Sequence, residues 1–153
     1  MLPARTGLPS ASVLPAPAVL IVSGPDAYIS PDWYGVPDQV PTWNYVAVHL
    51  RGRLERLGEG LMRDMLDRQS AAYEARLLPK RPWTADKMSD GALERLMRSI
   101  LPFRLHVERI DATWKLYQNK TEASRLGAAA EMARSAIGQE TGGLAGLMRD
   151  PPG

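Results

Sequence analysis

Strands are predicted where apolar and polar residues alternate or where a short apolar run is closed by turn residues. The period of two is clearest in the stretch that begins with Trp43, and Gly52 interrupts it. The Gly24-Pro25 pair predicts a turn after the first apolar run. In the last strand the apolar phase changes near Arg109, which predicts a bulge or a bend. The predicted strands are 18–23, 26–30, 43–57 and 103–116.

Helices are predicted where apolar residues recur every three or four positions. Pro79 ends the first, Pro102 ends the second, and Thr121 opens the third, which is rich in alanine. A loop with three prolines precedes the best strand and carries Trp33 and Tyr34. Strands and helices in this order predict an α+β fold around a small, strongly bent sheet with too few strands to close a barrel alone. The predicted helices are 59–78, 89–100 and 121–137.

The chain is predicted to hold one folded domain between two less ordered ends. Residues 1–18 are expected to be a disordered leader, 19–137 the domain, and 138–153 a flexible tail. A signal peptide is the alternative for the leader, but Pro15 and Pro17 interrupt the only apolar stretch that would serve it. We therefore expect a cytoplasmic protein.

Composition narrows the classes of function. The 153 residues are 44% hydrophobic and 24% charged with a net charge of +2, which is typical of a globular protein with one core. No cysteine is present, which excludes disulfides, thiolate metal sites and a cysteine nucleophile and fits a reducing compartment. No apolar run reaches the length of a membrane span, and neither a glycine-rich phosphate loop nor a G-x-S-x-G motif occurs.

Two further groups of residues have simpler explanations than a functional site. His49 and His106 lie on the polar sides of two strands without the spacing of a metal site, so side chains that face solvent or line a barrel are favoured. Arg95 and Arg98 could read DNA from the second helix, but a long loop with prolines, not a tight turn, joins the first two helices. A net charge of +2 also gives little attraction to a polyanion.

Five of the ten aromatic residues fall within eighteen positions, beside Ser30 and Asn44. Two interpretations stay open. The rings pack a minor core beneath the proline-rich loop, or they form the wall of a site for a flat ligand whose edge the polar side chains bind. The five aromatic residues are Tyr28, Trp33, Tyr34, Trp43 and Tyr45.

KLYQNK, residues 115–120, forms a second candidate cluster directly after the last strand. Lysines bind phosphate, and the amides of Gln118 and Asn119 bind the edge of a ring. A solvated strand end that leads into a helix cap explains the same residues equally well.

The stretch GPDAYISPDWYGVPDQVPTWNYVAVHLRG resembles the PaiB-type FMN-binding negative transcriptional regulators. That family carries Gly-Pro, Tyr-Ile-Ser-Pro-x-Trp-Tyr and Val-Pro-Thr-Trp-Asn-Tyr-x-x-Val-His followed by glycine. The 80–88 loop and KLYQNK are also similar to the family, so the resemblance covers about residues 19–137. Residues 1–18 do not match the strands that precede Gly-Pro in the family, and we expect the domain to be incomplete at its N-terminus.

The resemblance implies a split β-barrel of the flavin-reductase and pyridoxamine-phosphate-oxidase type, a homodimer with FMN at its interface, and a role as a repressor that need not be an enzyme. It implies that Trp43, Asn44 and Tyr45 contact the flavin ring and that Lys115, Gln118 and Asn119 contact its edge or phosphate. Ser30, Trp33 and Lys120 complete the expected FMN site. A flavin-dependent oxidoreductase on the same fold and a remnant without function are the alternatives.

Overall fold

The computed structural model describes residues 14–152, and the first thirteen residues of the predicted leader lie outside this range. The described chain has an α+β fold with four strands and four α-helices. The strands are β1 Ala16–Ile29, β2 Thr42–Arg56, β3 Phe103–Lys115 and β4 Gly138–Gln139. The helices are α1 Met62–Glu74, α2 Ala92–Met97, α3 Glu122–Met132 and α4 Thr141–Arg149.

The chain divides into two compact units. One contains residues 52–106 with the described residues up to Ala18, and the other contains 19–51 with the residues from 107 onward. They are called the first unit and the second unit below. Of the helices in the described residues, none has both the length and the apolar character needed to cross a membrane.

The four strands form one sheet in the order β3-β2-β1-β4, and the sheet is open in the part of the chain described. Strand β4 pairs antiparallel with β1, with Asp26 opposite Gln139 and Ala27 opposite Gly138. The backbone N–H of Tyr28 donates to the Ile137 carbonyl at 3.1 Å beside this pair. Strand β1 is bordered by β4 at these two residues alone, so most of its outer side is a sheet edge.

Strand β1 corrects the prediction of a turn at Gly24-Pro25, because it runs unbroken through both residues. Proline lacks a backbone N–H and is accepted in a strand at a sheet edge, which is where Pro25 lies. Gly24 fits because β1 and β2 approach closely here. A Cβ on Gly24 would lie 3.2 Å from the Cβ of Val46.

The core of the second unit lies between the sheet and the helices α3 and α4. Its members are apolar and nearly all completely buried, and Trp33, Tyr117 and Leu147 pack against it. Arg125 of α3 donates to the carbonyls of Met148 and, at 2.9 Å, of Arg149, which satisfies the C-terminal end of α4. The buried core residues are Ala27, Ile29, Tyr34, Val46, Leu116, Ala128, Ala129, Met132, Leu144, Ala145 and Met148.

Residues 138–153 were expected to form a flexible tail, whereas 138–149 form β4 and α4. Leu144, Ala145 and Met148 follow the three- and four-residue spacing of a buried helix face, and all three are inaccessible to solvent. The three glycines between Gly142 and Gly146 conceal this pattern because glycine lowers helix propensity. Tertiary burial stabilises a helix that propensity alone does not predict.

The first unit is less buried. The predicted helix 59–78 is confirmed as α1 flanked by 3₁₀ turns at 59–61 and 75–77. Of its apolar stripe, Met62 is buried while Tyr73 and Leu77 are exposed. Helix α2 is shorter than the predicted 89–100, because Gly91 at its N-terminus has a positive φ of 70°.

In β3 the predicted change of phase near Arg109 is wrong. Phe103, Leu105, Asp111 and Thr113 are the partly covered positions, and they share one period of two. The apolar side chains after Arg109 instead lie on the other phase, where Ile110 is 64% exposed. Helix α3 begins as predicted, with the Thr121 hydroxyl accepting from the Ser124 N–H at 3.3 Å, but ends at Met132.

Candidate functional site

A cavity of about 470 Å³ lies in the second unit against the face of β2 that carries Trp43 and Tyr45. These two side chains are exposed because they alternate with the buried Asn44 and Val46 along the strand. Trp43 is 47% and Tyr45 38% exposed, which is unusual for large aromatic rings. The cavity is lined by Ser23, Gly24, Asp26, Trp43, Tyr45, Val46, Ala47 and Gln139.

The surface formed by Trp43 and Tyr45, called the aromatic wall below, extends to β1. The rings of Tyr28 and Trp43 meet edge to face, with centroids 6.3 Å apart and an angle of 75° between their planes. This contact restrains the indole of Trp43 while leaving about half of it accessible. The wall is therefore a stable aromatic surface to which a flat ring can bind by stacking.

The polar groups of the cavity come from β1 and β4. The Asp26 carboxylate accepts a hydrogen bond from the backbone N–H of Gln139 at 3.2 Å, which fixes the short β4 beside β1. Ser23 contributes a hydroxyl and Gln139 a side-chain amide. Such groups can donate to and accept from the edge of a heteroaromatic ring.

Asn44 does not share this surface. It lies on the opposite face of β2, is completely buried, and donates from Nδ2 to the Met148 sulfur at 3.4 Å. Its Oδ1 has no hydrogen-bond partner among residues 14–152. A ligand stacked on Trp43 and Tyr45 therefore does not meet this amide in the observed arrangement, since β2 separates them.

Trp33 and Ser30 belong to the loop side of the core. Ser30 precedes a 3₁₀ turn at 31–34, and its carbonyl accepts from the Trp33 N–H at 3.2 Å. The neighbouring Tyr34 stacks on Tyr117 with ring centroids 4.4 Å apart. Burial, followed by the nearby Tyr117 hydroxyl, raises the pKa of Tyr34 well above its usual value.

The aromatic cluster thus divides between the two interpretations that the sequence leaves open. Trp33 and Tyr34 pack the core beneath the loop, while Tyr28, Trp43 and Tyr45 line the open side of the sheet. The division follows from the elements that carry the rings, because Trp33 and Tyr34 lie in the 3₁₀ turn at 31–34 while the other three lie on β1 and β2.

In the KLYQNK segment most polar groups bind the chain itself. Gln118 donates to the Trp114 carbonyl at 2.7 Å and accepts from the Leu116 N–H at 2.9 Å, so its amide closes the turn after β3. The Lys120 ammonium lies 5.7 Å from the centre of the Tyr117 ring. Asn119 is exposed.

Lys115 is the member of that segment connected to the aromatic wall. Its ammonium donates to the Thr42 hydroxyl at 2.7 Å, and Thr42 directly precedes Trp43. An ammonium has three donors, so two remain for an anionic group.

These groups fit part of FMN. The aromatic wall and the amide and hydroxyl groups of the cavity suit the flat, heteroatom-rich ring system, and the volume lies in the range of about 300–1,000 Å³ common for ligand pockets. The lining holds a carboxylate, Asp26, and neither lysine nor arginine. Lys115 is the cation that Thr42 connects to the wall and that could hold the phosphate.

Three polar residues of the cavity are absent from the sequence-based site. Ser23 and Asp26 flank Gly24-Pro25, and the predicted turn there concealed their place on a continuous strand. Gln139 lies in the segment expected to be a flexible tail.

In the described residues, the two weaker sites considered from the sequence, at the histidines and at the second helix, show only surface contacts. His106 lies in the first unit with its Nε2 3.0 Å from the Glu55 carboxylate, and both side chains are well exposed. Helices α1 and α2 are joined by a long segment with a 3₁₀ turn at 85–87, so they do not form a helix-turn-helix. Among residues 14–152, no three side chains of the types that bind metals gather at one point.

Comparison with known proteins places the chain in a family. Residues 9–109 match the family model described as "Putative FMN-binding domain". The chain is 36% identical over 108 residues to "Protease synthase and sporulation protein PAI 2" of Bacillus subtilis, which covers 71% of this chain and 51% of that protein. It is 26% identical over 134 residues to an uncharacterized protein of Aspergillus fumigatus, which covers 74% of this chain and 51% of that protein.

The chain spans about half the length of both relatives. The matched range includes the aromatic wall on β2, whereas KLYQNK, α3, β4 and α4 follow it. The family resemblance seen in the sequence is confirmed by this match and by the Bacillus relative. This chain belongs to the family of FMN-binding domains.

Proposed function

We propose that this chain is a PaiB-like transcriptional regulator that binds FMN as a ligand or redox sensor. The observation that carries the proposal is the aromatic wall of Trp43 and Tyr45 beside the 470 Å³ cavity. The indole of Trp43, restrained by Tyr28, favours stacking of a flat ligand, because it loses little conformational freedom on binding.

The proposed flavin ring stacks on Trp43 and Tyr45, with its heteroatoms facing Ser23 and Gln139. Its phosphate extends toward Lys115, which Thr42 holds near the wall. In this arrangement the buried Asn44 lies on the other face of β2, while Gln118, Lys120 and Trp33 belong to the turn after β3 and to the core rather than to the cavity. Ser30 and Asn119 lie in its flanking loops.

The proposal includes a homodimer with a split β-barrel. Four strands are too few to close a barrel, so further strands must come from outside the described chain. The outer side of β1 supports pairing with a second copy. Val19, Leu20, Ile21 and Val22 are about half exposed and uncharged, and on the side away from β2 no strand of the described residues borders them. An apolar strand edge of this kind favours association.

The regulatory role is proposed from the resemblance of the sequence to the PaiB-type regulators, and the 36% identity to the Bacillus protein supports that resemblance. DNA contact would require the combined surface of the dimer, since a net charge of +2 on one chain attracts a polyanion weakly. The absence of cysteine fits a cytoplasmic location, which is part of the same proposal.

The test is a titration of the purified chain with FMN, followed by flavin fluorescence and by light scattering. Replacing Trp43 by alanine is expected to weaken FMN binding about tenfold through the lost stacking surface. Trp114→Ala is the matched control, because Trp114 is 40% exposed on β3 but does not line the cavity. Equal losses in the two variants, or no binding by the wild-type chain, would refute the proposed site.

Turnover of the bound flavin by NADH or NADPH separates the proposal from the alternative enzyme. Steady-state oxidation of either nicotinamide with a saturable rate would favour a flavin-dependent oxidoreductase on the same fold. Binding of FMN without turnover would support the regulator.

A further inference from the structure

The first unit contains a cavity of about 460 Å³ between α1 and the loop that follows it. Most of its wall is apolar and comes from Ala71 on α1, from Ala75 in the 3₁₀ turn that follows, and from Leu78, Pro82 and Trp83 on the loop. Trp83 is 37% exposed, so part of its indole is available to a ligand. This volume suits a compact organic molecule.

The loop is held against the helix by charged side chains that bind within the unit. The Glu74 carboxylate on α1 accepts from the backbone N–H of Trp83 at 2.7 Å and from the Lys80 ammonium. These two contacts hold the pKa of Glu74 below its usual value. The Lys87 ammonium donates to the Pro82 carbonyl at 2.8 Å. The cavity is thus built by fixed contacts on both sides of Trp83.

Three charged residues line the cavity, and two of them neutralise each other. Arg63 donates from Nε to the Asp67 carboxylate at 2.8 Å across one helical turn. The third, Asp86, forms no ion pair within residues 14–152. A hydrogen bond from the Thr84 side chain, then its own backbone N–H, keeps the pKa of Asp86 below its usual value, and the charges of Lys87 and Arg81 act in the same direction.

The lining therefore has an apolar wall, an accessible indole and one carboxylate that is not paired. A π face and a carboxylate both attract cations, and the indole of tryptophan is the most favourable aromatic partner for an ammonium group. Arg63 and Lys87, whose positive charges would repel a cationic ligand, already contact Asp67 and the Pro82 carbonyl. Arg81 is the cation whose field a ligand would still meet.

We propose that this cavity binds a small organic cation, an amine with a flat apolar body that rests on Trp83 and an ammonium group that faces Asp86. Such a site is separate from the flavin cavity and gives the first unit a ligand of its own. In a regulator it is where an amine would act as an effector.

Three probes with the same phenylethyl body test the charge. They are 2-phenylethylamine, 2-phenylethanol and 3-phenylpropionate, which carry an ammonium, a hydroxyl and a carboxylate. Binding to the full chain is followed by NMR through the indole N–H signal of Trp83, which is assigned by its loss in Trp83→Phe. The expected order of affinity is amine above alcohol above acid, with the indole signal of Trp83 shifted by the amine.

Asp86→Asn tests the carboxylate while keeping its shape, and is expected to weaken amine binding about fivefold, as for a solvent-exposed ion pair, without affecting the alcohol. Asp64→Asn is the matched control: Asp64 is on α1, pairs with Arg68 and does not line the cavity. The proposal is overturned if the acid binds as tightly as the amine. It is also overturned if both asparagine variants weaken the amine equally, or if the Trp83 signal does not respond to any probe.

Discussion

Replacing Leu144 by alanine tests whether α4 is part of the folded second unit. Leu144 is inaccessible to solvent and lies in the core with Met132 and Met148. The substitution removes three carbons, worth about 0.8 kcal/mol each on transfer from water, or about 2.4 kcal/mol. The space left between α3 and α4 adds to this, so the free energy of unfolding should fall by about 3 kcal/mol.

The assay is urea unfolding followed by circular dichroism and by tryptophan fluorescence, to which Trp33, packed against the same core, contributes together with the other three tryptophans. Leu126→Ala is the control, because Leu126 lies on α3 and is only partly covered. Its loss should stay below about 1 kcal/mol. If Leu144→Ala costs as little as Leu126→Ala, the segment behaves as the flexible tail that the sequence suggested, and the packing of α4 described above is wrong.

Two further predictions concern single contacts. A Cβ on Gly138, whose φ is +141°, would lie 2.6 Å from the Cα of Ala27, so Gly138→Ala should destabilise the β1–β4 pair. Gly146→Ala on the open side of α4 should instead stabilise the fold by about 0.5–1 kcal/mol, because alanine favours a helix more than glycine does. Thermal unfolding of both variants checks this, and equal effects would contradict it. The lowered pKa of Glu74 contributes stability that is present above its ordinary value of 4.5 and lost as pH falls through the folded value. Glu74→Gln should therefore flatten the fall in stability on acidification in urea titrations, and an unchanged pH profile would count against the Glu74–Lys80 contact.

The sequence predicted those elements whose pattern is repeated several times. Strand β2 was found within one residue at each end, and the predicted helix 59–78 matches α1 together with its flanking 3₁₀ turns, because each pattern repeats over three or more cycles. The α+β class follows from their order. Helix α4 was missed because its buried face consists of few residues among three glycines, and only contact with α3 makes that face visible.

The sequence predicted the candidate site as a run of adjacent residues, whereas in the structure the cavity lies against one face of β2. Trp43, Asn44 and Tyr45 are adjacent in the sequence and all were assigned to one ligand. In the structure the alternation of β2 sends the two rings to the cavity and the amide to the core. A period of two assigns adjacent residues of a strand to opposite faces, but it does not tell which face binds a ligand. That depends on which face of β2 the helices α3 and α4 cover.

Asn44 shows why the covered face still matters to the site. Its Nδ2 contacts a sulfur, a weak acceptor, and its Oδ1 has no partner in the part of the chain that the structure describes, although the residue is completely buried. A buried amide left half satisfied costs stability, so an apolar residue would pack better at this point unless the amide serves another purpose. It lies directly between the two aromatic residues on β2 and contacts Met148 on α4. The Asn44–Met148 contact thus connects β2, the strand that carries the aromatic wall, to helix α4. Of the helices in the second unit, α4 lies furthest in sequence from the Trp-Asn-Tyr motif.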